Sequence, residues 1–213
     1  MKALTFDCHG SLVDWEAGVR GFIGELLARP YISEVARPSA DEWMARWQRV
    51  RRQMLKPYRP WRDLLQRSYD ATMQLFSLEA FVDDGPALAR RVAALEPRAE
   101  AAAVLRKLAR RYRLAIVANP DREALAEALG RLQAPFSSVV TAEDVKAYKP
   151  DPKLFALALE RLGLPAAEVT HVAASADEDL APARALGLRT VLVGATGDAD
   201  LVVPSLTELA GVL

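Results

Sequence analysis

From about residue 98 to residue 194 the sequence changes period repeatedly, from helix to strand and back. Apolar residues recur at helical spacing in EAAAVLRKLARRY, REALAEALGRL and PKLFALALERLG, and short apolar runs (RLAIVAN, SSVVTA, THVAAS, RTVLVG) separate or follow them. Strands joined through helices do not pair as hairpins. They line up as a parallel sheet with helices on both faces. Ligands of such sheets gather beyond the carboxyl ends of the strands, so the loops at Asp7, Asn119, Lys149 and Ser175 are predicted to converge.

Asp7 enters that set because the opening KALTF reads as one more strand, stopping at Asp7, His9 and Gly10, residues suited to a loop. A helical tract follows, WEAGVRGFIGELLAR, with Val19, Phe22, Ile23, Leu26 and Leu27 on one stripe, and it ends before Pro30. After a Pro-bearing connection, SADEWMARWQRVRRQML opens with Ser39 ahead of Asp41 and Glu42, the pattern of a capping box, and carries Trp43, Trp47 and Val50 as its apolar stripe. PWRDLLQRSYDATMQLF places Leu64, Leu65, Tyr69 and Met73 at helical spacing, and a shorter helix is expected near 86 to 95. Residues 14 to about 92 thus read as all-helical.

At 213 residues the chain is long enough for a sizeable core with a smaller insertion. Acidic and basic residues balance at 28 each, which gives no strong field for gathering nucleic acid or an anionic membrane and leaves a small polar or anionic substrate as the expected partner. Apolar runs fall far short of the roughly 20 residues of a membrane-spanning helix. The only cysteine, Cys8, has no internal disulfide partner, and the first residues carry neither a basic leader nor a long apolar run, so a cytoplasmic protein is expected. Association into a homodimer through the apolar helices stays open.

Three segments carry a resemblance. FDCHGSLVDW resembles the F-D-x-x-G-[ST]-L-x-D nucleophile motif of the haloacid dehalogenase superfamily, YKPDPKLF its lysine loop, and HVAASADEDLAPARALGLRTVLV its acidic fourth motif with the last core strand. The opening segment is closest to the type II haloacid dehalogenase branch, whose members often read FDCYGTLIDWE there. The resemblance implies an α/β fold: a Rossmann-like parallel-sheet core from residues 1–13 and 93–213, with an all-helical cap inserted at 14–92.

It also implies a chemistry. Asp7 would be a carboxylate nucleophile forming an ester that water later cleaves. Lys149 would keep Asp7 ionised and offset negative charge, since an opposite charge a few ångströms away favours the charged form. Asp179 would position or activate the water, or anchor Lys149. Cys8, His9, Ser11, Asn119, Ser175 and the cap residue Arg49 complete the expected substrate-binding set. A thiolate role for Cys8 lacks an evident partner base, and the basic residues Arg46, Arg49, Arg51, Arg52, Arg59 and Arg62 also read as an ordinary solvated helix face.

Two positions separate the activities of the superfamily. Its phosphatases carry a second Asp two residues after the nucleophile, a general acid for an alkoxide leaving group, and here that place is His9. A halide leaves without a proton. Phosphatases also use an acidic pair in the fourth motif to hold magnesium, and Ser175 stands where the first Asp of that pair belongs. Asp7, the His9 carbonyl and Asp179 would leave only a weak oxygen site, with Asp177 as a helper, so no metal or other cofactor is expected. Four positions depart from haloacid dehalogenases: Ala118 for a substrate-binding Ser, Phe155 for a Tyr, Ala176 for an Asn, and Gln48 for the cap arginine that receives the halide. Arg46, Arg49 or Arg52 would restore the last by a helix-register shift. The expected function is cleavage of the carbon–halogen bond of a small 2-haloacid through an aspartyl ester; the alternatives are a magnesium-dependent small-molecule phosphatase and a weakly active or non-enzymatic binding member of the same superfamily.

Overall fold

The computed structural model describes residues 2–30, 32 and 37–213; the part of the Pro-bearing connection at 31 and 33–36 lies outside the described residues, as does Met1. Six strands form one parallel sheet in the order β3-β2-β1-β4-β5-β6: β1 (Ala3–Phe6), β2 (Arg113–Ala118), β3 (Phe136–Thr141), β4 (Val169–Ala173), β5 (Arg189–Val193) and β6 (Leu201–Val203). The sequence pattern anticipates the first five. The sixth is a three-residue run, LVV, hydrogen-bonded to the edge of β5, too short for a period to register.

Each central strand is buried on both faces. Leu4 and Phe6 of β1, with Leu114 and Ile116 of β2, pack on α5 (Ala101–Leu108), α6 (Arg122–Leu132) and α10 (Leu206–Val212). Ala3, Ala115 and Val117 face the other way, onto α8 (Lys153–Leu162) and α9 (Ala181–Ala185). A sheet covered on both sides favours apolar side chains at successive positions, which explains continuous runs such as LAIVA in place of an alternating pattern. The short α7 (Ala142–Val145) follows β3 directly, closed by a capping box between Thr141 and Asp144.

Four helices stand between β1 and α5: α1 (Trp15–Leu27), α2 (Ala40–Gln53), α3 (Trp61–Leu75) and α4 (Asp84–Ala93). Ser39 caps α2 through the reciprocal box with Glu42. The inward faces of these helices share one apolar interior in which Trp43, Trp47, Leu64, Leu65, Tyr69 and Met73 are fully enclosed. Some of its polar groups are paired inside: Trp47 Nε1 donates to Ser68 Oγ at 2.9 Å, and the buried Asp84 accepts from Arg29 at 2.8 Å and from Tyr69 at 3.0 Å, whereas Trp43 Nε1 is buried with no partner among the described residues. The helical layer is tied to the sheet layer by Asp121, which accepts from the Trp61 backbone at 2.7 Å and from Tyr58 at 3.2 Å. Among the described residues no helix is long and apolar enough to cross a membrane.

Candidate active site

β1 lies between β2 and β4, so the chain leaving its carboxyl end emerges at the middle of the sheet. The Asp7 N–H still donates to Val172 O at 3.0 Å, which continues the ladder one residue past the strand and holds the Asp7 side chain at the sheet's rim. The chain then folds back on itself: Leu12 and Val13 N–H both donate to Cys8 O, at 2.8 and 2.9 Å. The turn requires a positive φ of +105° at Gly10, a conformation open to glycine and strained for a residue with a side chain.

Opposite Asp7, the Lys149 ammonium is buried and makes three short contacts. It donates to Asp7 Oδ1 at 2.6 Å, to Asp179 Oδ1 at 2.5 Å and to Val117 O at 3.2 Å. Two of the three residues expected to do chemistry thus meet on the third. Ser11 Oγ donates to Asp7 Oδ2 at 2.9 Å and accepts from Ala174 N–H at 3.0 Å, so both oxygens of Asp7 are held. Behind Asp179, His171 Nε2 lies 3.1 Å from Oδ1, and its Nδ1 lies 2.9 Å from Thr5 Oγ1. A carboxylate can only accept, so the imidazole hydrogen sits on Nε2 and Nδ1 accepts from the threonine hydroxyl.

The electrostatics differ between the two carboxyl groups. Burial raises the Asp7 carboxyl above its usual range, more than the nearby Lys149 charge lowers it, and the charge of Asp179 adds to the rise. Burial opposes the charge on Asp179 too, but there Lys149 and the His171 hydrogen bond outweigh it and hold the group below its usual range. Burial works against the charge on Lys149, but Asp179 and Asp7 overcome it and raise the ammonium above its ordinary value. One buried cation therefore serves two carboxylates of unequal acidity.

The remaining expected residues divide. His9, Asn119 and Ser175 line the same cleft, of about 250 Å³, as Asp7, Lys149 and Asp179. Asn119 Oδ1 accepts from the Lys149 backbone at 2.7 Å, which fixes the orientation of its amide. Ser175 Oγ accepts from Glu178 N–H at 3.2 Å and starts the turn that carries Asp179, a capping role. Ser11 is buried beneath Asp7 and acts on it without lining the cleft. His9 stacks on Trp15 with ring centroids 6.0 Å apart; burial, with Lys149 and Arg51 adding, pushes its pKa down to about 3, so the ring is neutral at ordinary pH.

Two expectations need correction. The Cys8 side chain is not in the cleft: it points into the apolar layer with Phe6 and Leu12, and burial pushes its thiol up, away from thiolate formation. Strand alternation explains this, because neighbours on an extended chain face opposite sides. Arg49 is exposed on the outer face of α2, whereas Arg51, only 4% exposed, enters the cleft. Its guanidinium carbon lies 5.1 Å from the Trp15 ring centroid, 5.8 Å from that of Trp61 and 6.0 Å from that of Trp47. Trp43, Trp47 and Arg51 recur every four residues, so the helical stripe already pointed to position 51. Arg52 reaches the rim, and Gln48 lines the cleft while donating to Glu16 at 2.8 Å.

Arg51 Nε, Trp61 Nε1 and His9 Nδ1 are buried with no protein partner among the described residues. A buried polar atom left so is costly unless a ligand or water meets it. The residues do not suit a magnesium ion. The Lys149 ammonium is bonded to Asp7 and Asp179 from between them, Ser175 is uncharged, Asp177 is exposed, and among the described residues no three His, Cys, Asp or Glu side chains gather as a metal site.

Comparison with known proteins agrees with this geometry. The family model for haloacid dehalogenase-like hydrolases matches residues 1–187. (S)-2-haloacid dehalogenase 4A of Burkholderia cepacia is 30% identical over 212 residues, covering 93% of this chain and 85% of that protein. Haloacid dehalogenase-like hydrolase domain-containing protein 3 of Danio rerio is 42% identical over 80 residues, and that match spans only 37% of this chain and 33% of the relative's length. Among solved structures, a dehalogenase with an intermediate complex superposes with a TM-score of 0.84 at 26% identity, covering 100% of this chain and 97% of that one. With its strand-end aspartate, its lysine and its helical cap, this chain belongs to the haloacid dehalogenase-like hydrolases, in their type II branch.

Proposed function

We propose that the protein hydrolyses the carbon–halogen bond of a small 2-haloacid through an ester on Asp7. The observation that carries the reading is the strand-end Asp7, held on one oxygen by Lys149 and on the other by Ser11, at the floor of a cleft whose roof presents Arg51. In this reading the helices of 14–92 form a cap over a core of 1–13 and 93–213. An Asp7 oxygen attacks C2, the new O–C bond forms as the C–X bond breaks, and the halide leaves with the bonding pair. Arg51 would meet an anionic group of the ligand, its carboxylate or the departing halide, in the place expected of Arg49. Water then attacks the Asp7 carbonyl carbon and the acyl–oxygen bond breaks; one water proton ends on the leaving alkoxide as the hydroxyl of the 2-hydroxy acid, and the other passes to solvent as Asp7 returns to the free carboxylate. Lys149 offsets the negative charge in both steps. Asp179 holds Lys149 in place.

His9 favours this reading over a phosphatase. A phosphate ester needs a proton for its leaving alkoxide, and an imidazole pushed down to about 3 carries no second proton to give near neutrality. The same donor set supports metal-independent turnover, since Lys149 is bonded to both carboxylates and Ser175 is uncharged. The test is a parallel screen of 2-haloacids and phosphomonoesters, with magnesium and after exhaustive chelation. Halide release that survives chelation is the expected result. Phosphate release that appears only with magnesium would replace this reading with the phosphatase one.

A further inference from the structure

Between Ser175 and Ala181 the backbone takes a π turn, Ala176–Leu180, in which Leu180 N–H donates to Ser175 O at 3.4 Å and Ala181 N–H to Ala176 O, each bond spanning five residues. Such turns are rare and favour functional sites. Two successive acidic residues of this turn line the cleft. Asp179 goes to Lys149, while Glu178 lines the cleft at its cap side. Glu178 Oε1 lies 3.7 Å from Arg51 Nη2 and 3.6 Å from Arg52 Nε. Both distances exceed those of a hydrogen bond, so the carboxylate is attracted to the guanidinium groups without being bonded to them. Arg51 Nε keeps no protein partner.

We propose that Glu178 sets the anion preference of this pocket, as an internal carboxylate on the arginine pair that an anionic ligand must displace or tolerate. The inference rests on the reading of this cleft as the substrate site. Arg51 is the buried member of the pair, its side chain 5% exposed against 63% for Arg52, so the competition is felt mainly there. Glu16 lines the same cleft, which makes the arginine end less cationic than its two guanidinium groups suggest, while Asp14 there is paired with Arg98 at 3.6 Å. A neutral ligand of the same shape meets none of this. A plain structural tie between cap and core would treat charged and neutral ligands alike.

That difference supplies the test. Propionate and propionamide have nearly the same shape and differ in charge, and Trp15 and Trp61 beside Arg51 report binding by fluorescence. In Glu178→Gln and Glu178→Ala, the preference for propionate over propionamide should rise roughly three- to tenfold, the effect of lifting one like charge from a partly buried ion site. The ratio of kcat/KM for 2-chloropropionate over 2-chloropropionamide should rise with it. A binding preference that stays unchanged or falls in both variants overturns the proposal, even if halide is released normally. If the preference rises while no form of the protein releases halide, the role of Glu178 stands and the dehalogenase reading falls.

Discussion

The Lys149 ammonium lies 2.6 Å from Asp7 Oδ1, a contact across 142 residues that joins the loop beyond β3 to the end of β1. The same nitrogen holds Asp179 at 2.5 Å, so one cation is all that separates two buried carboxylates. Lys149→Met removes that cation and keeps much of the volume. Turnover should fall at least about a hundredfold, since a few kcal/mol of transition-state stabilisation are lost. Stability should fall by about 3–5 kcal/mol near pH 7, because both carboxylates lose their partner. The sign of the pH dependence follows. Without Lys149 the folded carboxyl groups hold protons more tightly than in the unfolded chain, so their contribution is present below the unfolded pKa and is lost as pH rises. The variant should therefore recover part of its stability at pH 4, measured by urea denaturation; an equal loss at both values would place Lys149 outside the electrostatics of the site.

The pH–rate profile should report Asp7 on its acid side. A protonated carboxyl is no nucleophile, and burial puts the folded pKa of Asp7 above the ordinary 3.8, so kcat/KM should fall with a midpoint higher than that. His9, pushed down to about 3, contributes no limb between pH 5 and 8. Lys149 sits above its ordinary 10.5 and loses its proton only at more alkaline pH. A limb near 6.5 that vanishes in His9→Gln would contradict the neutral imidazole.

Arg51 and Arg49 are two residues apart and differ completely in setting. Arg51→Lys keeps a charge but loses the planar group set among Trp15, Trp47 and Trp61, and kcat/KM for a 2-haloacid should drop tenfold or more. Arg49→Ala, on the exposed side of α2, should change it less than twofold. The reverse ranking would mean that the cap closes with a different face of α2 toward the substrate.

The contrast shows what one dimension of sequence carries. Alternating periods exposed five strands, and Ser39 with Glu42 marked the start of α2, because each signal is local. Asp7 is readable from a motif at a strand end, and Lys149 from the YKPDP loop. Arg51 is readable in principle from the Trp43–Trp47–Arg51 stripe, whereas motif alignment at Gln48 points to Arg46, Arg49 or Arg52. Glu178 gives no signal: within ADEDL nothing separates it from a solvated acidic residue, and its approach to Arg51 is a contact across the fold. β6 was too short to register a period.

The ester itself can be tested by where water oxygen goes. In the proposed route water attacks the Asp7 carbonyl carbon, so the product's hydroxyl oxygen comes from the original carboxylate and the new oxygen stays on Asp7. A single turnover in oxygen-labelled water, with enzyme in excess, should therefore leave product unlabelled and add one labelled oxygen to the peptide containing Asp7, read by mass spectrometry. Many turnovers should then carry label into product. Asp7→Asn, whose amide is a poor nucleophile of the same shape, should remove turnover while the chain keeps its fold. Label entering product in the first turnover would mean that water attacks C2 directly, and Asp7 would become a base in place of a nucleophile.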